Sequence, residues 1–147
     1  MRNDMRKIVV LLTLTLFICG CATTMSNLQR RSIESKELKG RFDEAFKATL
    51  QVFQDHGYII KNSDYQSGVI QGETGKKLGF WGIMTNYEIT ATLEQFGENI
   101  VKERLSLIQK VKVELNEDSK MVDDPELFQK LYDNIQKEMF IRANLNK

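Results

Sequence analysis

Helix, four strands, helix is the order in which hydrophobic periodicity changes along this chain. It predicts an α+β fold: a two-layer sandwich, with an antiparallel four-stranded sheet and an N-terminal and a C-terminal helix on one face. Three observations carry that expectation. Phe42, Ala45, Phe46, Thr49, Leu50 and Phe53 recur at three-and-four spacing, which sets them on one helical face. Tyr87, Ile89, Ala91 and Leu93 alternate with Glu88, Thr90, Thr92 and Glu94, the period-two pattern of a strand with one buried and one wet face. Beyond Asp124-Pro125-Glu126, the helical spacing returns at Leu127, Phe128, Leu131, Ile135 and Met139. No internal repeat or low-complexity tract divides the chain, and 147 residues fit one domain.

The chain opens with Arg2, Arg6 and Lys7 against a single Asp4, followed by the uncharged run Ile8 to Ile18. A basic start, a short apolar run and a small residue before a cut make the layout of a signal peptide. The run falls short of the roughly 20 apolar residues that a membrane-crossing helix needs, which argues against a permanent signal anchor. It ends in Ile18-Cys19-Gly20-Cys21. These four residues resemble the lipobox of bacterial lipoprotein precursors, with Cys19 departing mildly from the commoner Ala or Ser. The resemblance implies cleavage between Gly20 and Cys21, lipidation of the Cys21 thiol, and a membrane partner reached through acyl chains. Two or more chains hold a protein to a bilayer where one is marginal. Ala22 follows the acylated position. An Asp there resembles an inner-membrane retention signal, so its absence implies an outer-membrane protein facing the periplasm. The expected division is then 1–20 signal peptide, 21–39 lipidated Cys and flexible tether, and 40–147 a single α+β domain.

Charge and cysteine content narrow the function classes. The whole chain has 21 basic and 20 acidic residues. Removing Arg2, Arg6, Lys7 and Asp4 leaves 18 against 19, a balance that argues against nucleic acid as a partner. The only cysteines are Cys19 and Cys21. The first leaves with the signal peptide and the second is acylated. The exported domain is therefore expected to hold itself together by its apolar core, without a disulfide or thiolate metal site.

Residues 22–39 are polar and read as a tether with helical character toward its end; Arg30 and Arg31 lie there, within reach of anionic headgroups. Asp43 and Glu44 favour a helix start, and Gly57 ends that helix as a left-handed cap. Tyr58-Ile59-Ile60 opens a strand toward Asp64. Tyr65 to Gly68 turns, and Val69-Ile70-Gln71 returns as the second arm of a hairpin. The Tyr87 strand is third. Gly97-Glu98-Asn99 turns the chain into a fourth, with Leu105, Leu107, Val111, Val113 and Leu115 in its inner row. Gln109 interrupts that row, and Ile108 faces the other way, so a bulge or twist is expected there. Residues 116–124 read as an acidic loop. Asp124 then caps the last helix, with Pro125 at its first position.

The stretch from Gly72 to Tyr87 holds four glycines, Lys76-Lys77 and Phe80-Trp81. It fails the phosphate-loop pattern because no Gly-Lys-Ser/Thr stands at the right spacing. Phe80 and Trp81 leave two readings open. At a hairpin tip they would contact a partner or a membrane; folded back, they would close one end of the core. The carboxylates Glu117, Asp118, Asp123, Asp124 and Glu126 lack the spacing of a calcium loop, so no metal site is expected. The single His56 has no partner of the right type nearby for a metal-binding or catalytic role. No catalytic set and no cofactor are expected.

Gly57, Tyr58, Ile60, Asp64, Gly68 and Ile70 spell GYxIxxxDxxxGxI after an amphipathic helix, and the chain closes with DPELFQKLYDNIQKEMFI. This pattern resembles small uncharacterised Gram-negative lipoproteins. More loosely, it is similar to the helix-grip domains of the BamC lipoprotein of the outer-membrane barrel-assembly machinery. The resemblance implies a non-enzymatic lipoprotein that is a protein-interaction module, in contact with an envelope protein complex. The alternative is an accessory lipoprotein that holds lipid or a small apolar ligand beneath Phe46 and Leu131.

Overall fold

The computed structural model describes residues 25–79, 82–113 and 116–145. Helix α1 (Asn27–Glu34) leads into β1 (Ser35–Lys39). Helix α2 (Phe42–Asp55) follows, then β2 (Tyr58–Asp64), β3 (Val69–Thr74) and the short β4 (Lys77–Leu78). The long strands β5 (Met84–Gln95) and β6 (Ile100–Val113) come next. The chain then forms β7 (Asn116–Met121) and α3 (Pro125–Leu145).

The α+β class and the antiparallel sheet agree with the sequence pattern, but the sheet has seven strands rather than four. Its order is β1-β6-β5-β3-β2, with β4 added to β5 and β7 to β6. β1 faces residues 100–104 of β6 and β7 faces residues 108–113, so these two short strands share one edge of β6. Residues 35–39, expected in the tether, and 116–121, expected in a loop, are thus ladder strands. Both are polar edge strands. β1 points only Leu38 into the core, and β7 is almost wholly exposed, so neither has a hydrophobic period to read. The expected bulge near Gln109 is also absent: β5 and β6 stay in register through Tyr87↔Gln109 and Glu88↔Ile108. Beyond Leu107 the inner row of β6 emerges from the core, so a polar residue there needs no distortion. The register shift lies instead between Ile60 and Asn62 on β2.

Helices α2 and α3 cover one sheet face. They contribute Ala45, Phe46, Val52 and Phe53, and Phe128, Leu131, Ile135 and Met139. Beneath them lie Ile70, Ile89, Ala91, Leu93, Val101, Leu105 and Leu107, all from strand positions of one parity. Each fully buried side chain of Leu, Ile or Phe size contributes roughly 1.5–3 kcal/mol, which makes this layer the main stabilising element. Gly57 caps α2 with φ of 81°.

The β2–β3 turn is fixed more tightly. Gly68 has φ of 68°, and its carbonyl accepts the Leu93 N–H at 2.8 Å. A Cβ at this position would lie 2.1 Å from the Leu93 carbonyl oxygen, so only glycine fits.

Candidate functional site

Helix α1 is held against the sheet edge by its own sequence. Ser26 caps it: its hydroxyl accepts the Gln29 N–H at 3.3 Å, and its own N–H donates to Gln29 Oε1 at 3.0 Å. Arg30 then grips Asp123 with both ends of its guanidinium, at 2.6 and 2.8 Å. That bond holds Asp123 below the usual carboxylate range. At the C-terminal end, Glu34 is buried and accepts from Arg104 Nε at 3.3 Å and Nη2 at 3.0 Å, both on one carboxylate oxygen.

A cleft of about 790 Å³ lies where α1 meets the outer face of β5 and β6. Arg31 and Ser32 come from the helix, Lys102 and Arg104 from β6, and Thr92 and Glu94 from β5. The strand register builds its floor. Ser35, Arg104 and Thr92 form one row across β1, β6 and β5, and Lys102 stands opposite Glu94 in the row beside it. The cleft therefore offers three cations against one carboxylate in its lining.

Directly behind this cleft, on the inner sheet face, Glu103 is completely enclosed. Its Oε1 lies 2.8 Å from the Thr49 hydroxyl, which also sits 2.9 Å from the Ala45 carbonyl. One hydroxyl hydrogen cannot serve both. With Glu103 protonated, its O–H donates to Thr49, and Thr49 donates to Ala45. The pKa agrees: burial pushes the Glu103 carboxyl up to about 8, against a smaller downward pull from the Thr49 bond. Its Oε2 has no hydrogen-bond partner among the described residues. Nearby, the buried Tyr132 hydroxyl lies 2.5 Å from the Glu34 carbonyl and 3.2 Å from the Glu103 carbonyl. Burial first, and the Glu103 charge second, raise its phenol above the ordinary tyrosine value.

Gly20 and Cys21, the cleavage and lipidation positions, lie outside the described residues, and so do Phe80 and Trp81. The arms flanking that aromatic pair are described: Lys77 pairs with Thr85, Leu78 pairs with Met84, and the Gly79 N–H donates to the Ile83 carbonyl at 2.7 Å. The acidic group near the last helix is used structurally. Asp123 holds Arg30, and Asp124 Oδ1 accepts the N–H groups of Glu126 and Leu127. His56 meets the Asn134 side chain at 2.9 Å. Among the described residues no helix is long and apolar enough to cross a membrane. Glu34, Glu103 and Tyr132 were not singled out by sequence. A signal for Glu103 existed, because extending the inner row of β6 back from Leu105 to Val101 passes through it.

No protein-family model matches this chain, and no curated protein matches it either.

Proposed function

We propose that this chain is a lipid-anchored envelope lipoprotein whose domain acts by binding a protein partner, without catalysing a reaction. The observation that carries the reading is the basic start and apolar run ending in Ile18-Cys19-Gly20-Cys21. The fold adds support. Helix α1 begins at Asn27, six residues after Cys21, and six extended residues span at most about 20 Å. An acylated Cys21 would therefore hold the domain close to the bilayer, where the expected long tether would have let it roam. Further support is that the buried polar groups described above join α1, β6 and the two core helices to one another. Ala22 favours the outer membrane, facing the periplasm, and Phe80 and Trp81 are the proposed contact residues.

The test is isolation of the protein from its own envelope in mild detergent, with Cys21→Ser as the control. Acyl chains on Cys21 by mass spectrometry, together with reproducible co-purification of one envelope complex that Phe80→Ser plus Trp81→Ser abolishes, are expected. Recovery of the protein alone with a bound apolar molecule would replace partner binding by ligand carriage. A soluble, unmodified protein would overturn the lipoprotein reading.

A further inference from the structure

We propose that the cleft between α1 and the outer face of β5 and β6 is a phosphate-ester site that seats the headgroup of an anionic lipid. This deepens the lipoprotein reading and rests on it for the source of the ligand.

The argument begins with Arg104. Its Nε and Nη2 both bind one oxygen of the buried Glu34, so a carboxylate removed from water fixes the plane of the guanidinium. Nη1 donates to no group among the described residues, and the side chain is 49% exposed. A held arginine with a free edge is pre-organised for an oxyanion, because its planar fork matches phosphate geometry. The residues beside it are suited to the same task. Ser35 and Thr92 flank Arg104 in the ladder, one on each side, and both border the cleft. Their hydroxyls have no partner among the described hydrogen bonds. Ser32 and Ser67 differ, since their hydroxyls donate to the Gln29 carbonyl and to Asp64. Lys102 projects on the same face two residues away, and Arg31 enters from α1. Glu94, opposite Lys102, is the carboxylate in the lining. With Glu37 on the other side of Lys102 and Glu34 on Arg104, the carboxylates balance the three cations, so the cleft disfavours a ligand of high negative charge and a singly charged phosphodiester fits better than a polyphosphate.

Position selects the lipid. The helix that bounds the cleft starts six residues after Cys21 and is eight residues long, about 12 Å. A chain anchored at Cys21 thus keeps the cleft within roughly 30 Å of the bilayer, where lipid headgroups are the nearest phosphate esters. Near an anionic surface each cation contributes about 1 kcal/mol, equivalent to roughly fivefold in affinity.

The test uses the full chain, expressed from its own start, purified in a neutral detergent and labelled with nitrogen-15. It is titrated separately with dihexanoyl phosphatidylglycerol and with glycerol 1-phosphate at matched ionic strength. Saturable shifts of the Ser35, Thr92, Lys102 and Arg104 amides with the lipid are expected, with at least tenfold weaker binding in Arg31→Gln plus Lys102→Gln. Both residues are exposed, so the variant's spectrum should otherwise match the parent. Equal saturation by glycerol 1-phosphate would keep the phosphate-ester site and overturn the lipid as its occupant. Shifts scattered over the surface, or unchanged in the double variant, would overturn the site. Mass spectrometry of Cys21 in the same sample reports on the anchor independently, so failure of the lipoprotein reading is distinguishable from failure of the cleft.

Discussion

Glu34 and Glu103 are both hidden from water, yet the molecule accommodates them in opposite ways. Glu34 closes α1 at the sheet edge, where Arg104 reaches it from the outer face. Glu103 sits on the inner face among apolar side chains, and among the described residues the Thr49 hydroxyl is its side-chain partner. The cations nearest in sequence to Glu103 are its two neighbours, Lys102 and Arg104. Successive strand residues point to opposite faces, so both lie on the outer face, where Arg104 serves Glu34 instead. One carboxylate is handled by pairing and the other by keeping its proton. The difference follows from which side of β6 each group approaches.

The largest expected effect separates the two by pH. In the unfolded chain Glu103 releases its proton near 4.5; in the folded protein it does so at about 8. Between those values the native state binds the extra proton, so stability falls as pH rises, by about 1.4 kcal/mol per unit. The full loss is about 5 kcal/mol, and the contribution is flat above about pH 8. Urea unfolding across pH 5 to 9 should show this slope, and Glu103→Gln should flatten it. An unchanged slope in that variant would sink the protonated-core account. Asp64 and Asp123 act with the opposite sign. Hydrogen bonds from Ser67 and from Arg30 hold their pKa values down, so their contribution is present above the usual carboxylate range and is lost as pH falls through it.

Removing the cation from the other pair comes next. Arg104→Met leaves Glu34 buried with no partner and should destabilise the protein by about 2–3 kcal/mol at neutral pH. A loss below about 0.5 kcal/mol in urea unfolding would break the contrast. Tyr132→Phe removes the hydroxyl that touches the backbone of both glutamates, and should remove about 1 kcal/mol in the same unfolding measurement. The smallest effect is expected at Arg30→Met. Its bidentate pair with Asp123 is partly exposed, so a loss of at most about 1 kcal/mol is expected, shrinking in high salt. A salt-independent loss would mean that α1 is held by packing.

The parts of the fold with strong periodicity were legible in the sequence. Phe42 to Phe53 appears as α2, Tyr87 to Leu93 as the centre of β5, and Asp124-Pro125 as the start of α3. What escaped was polar. β1 and β7 are stabilised by ladder hydrogen bonds to β6, and a ladder leaves no mark on side-chain composition. Helix α1 is short, and its anchor Asp123 lies 93 residues away in sequence. The cleft depends on the register that sets Ser35, Arg104 and Thr92 side by side, which local pattern cannot supply. Glu103 was also missed, although strand parity alone, extended back from Leu105, sets it in the core.

The contact at Gly68 has a kinetic side. Its carbonyl receives an N–H from β5, the strand that pairs with β3, and the turn leaves no room for a side chain between them. The β2–β3 hairpin is therefore riveted to the middle of the sheet at its tip as well as along its ladder. Such a hairpin has no hinge of its own. It should exchange its amide hydrogens with solvent only when β5 lets go, so that one edge and the centre of the molecule open as a single cooperative unit.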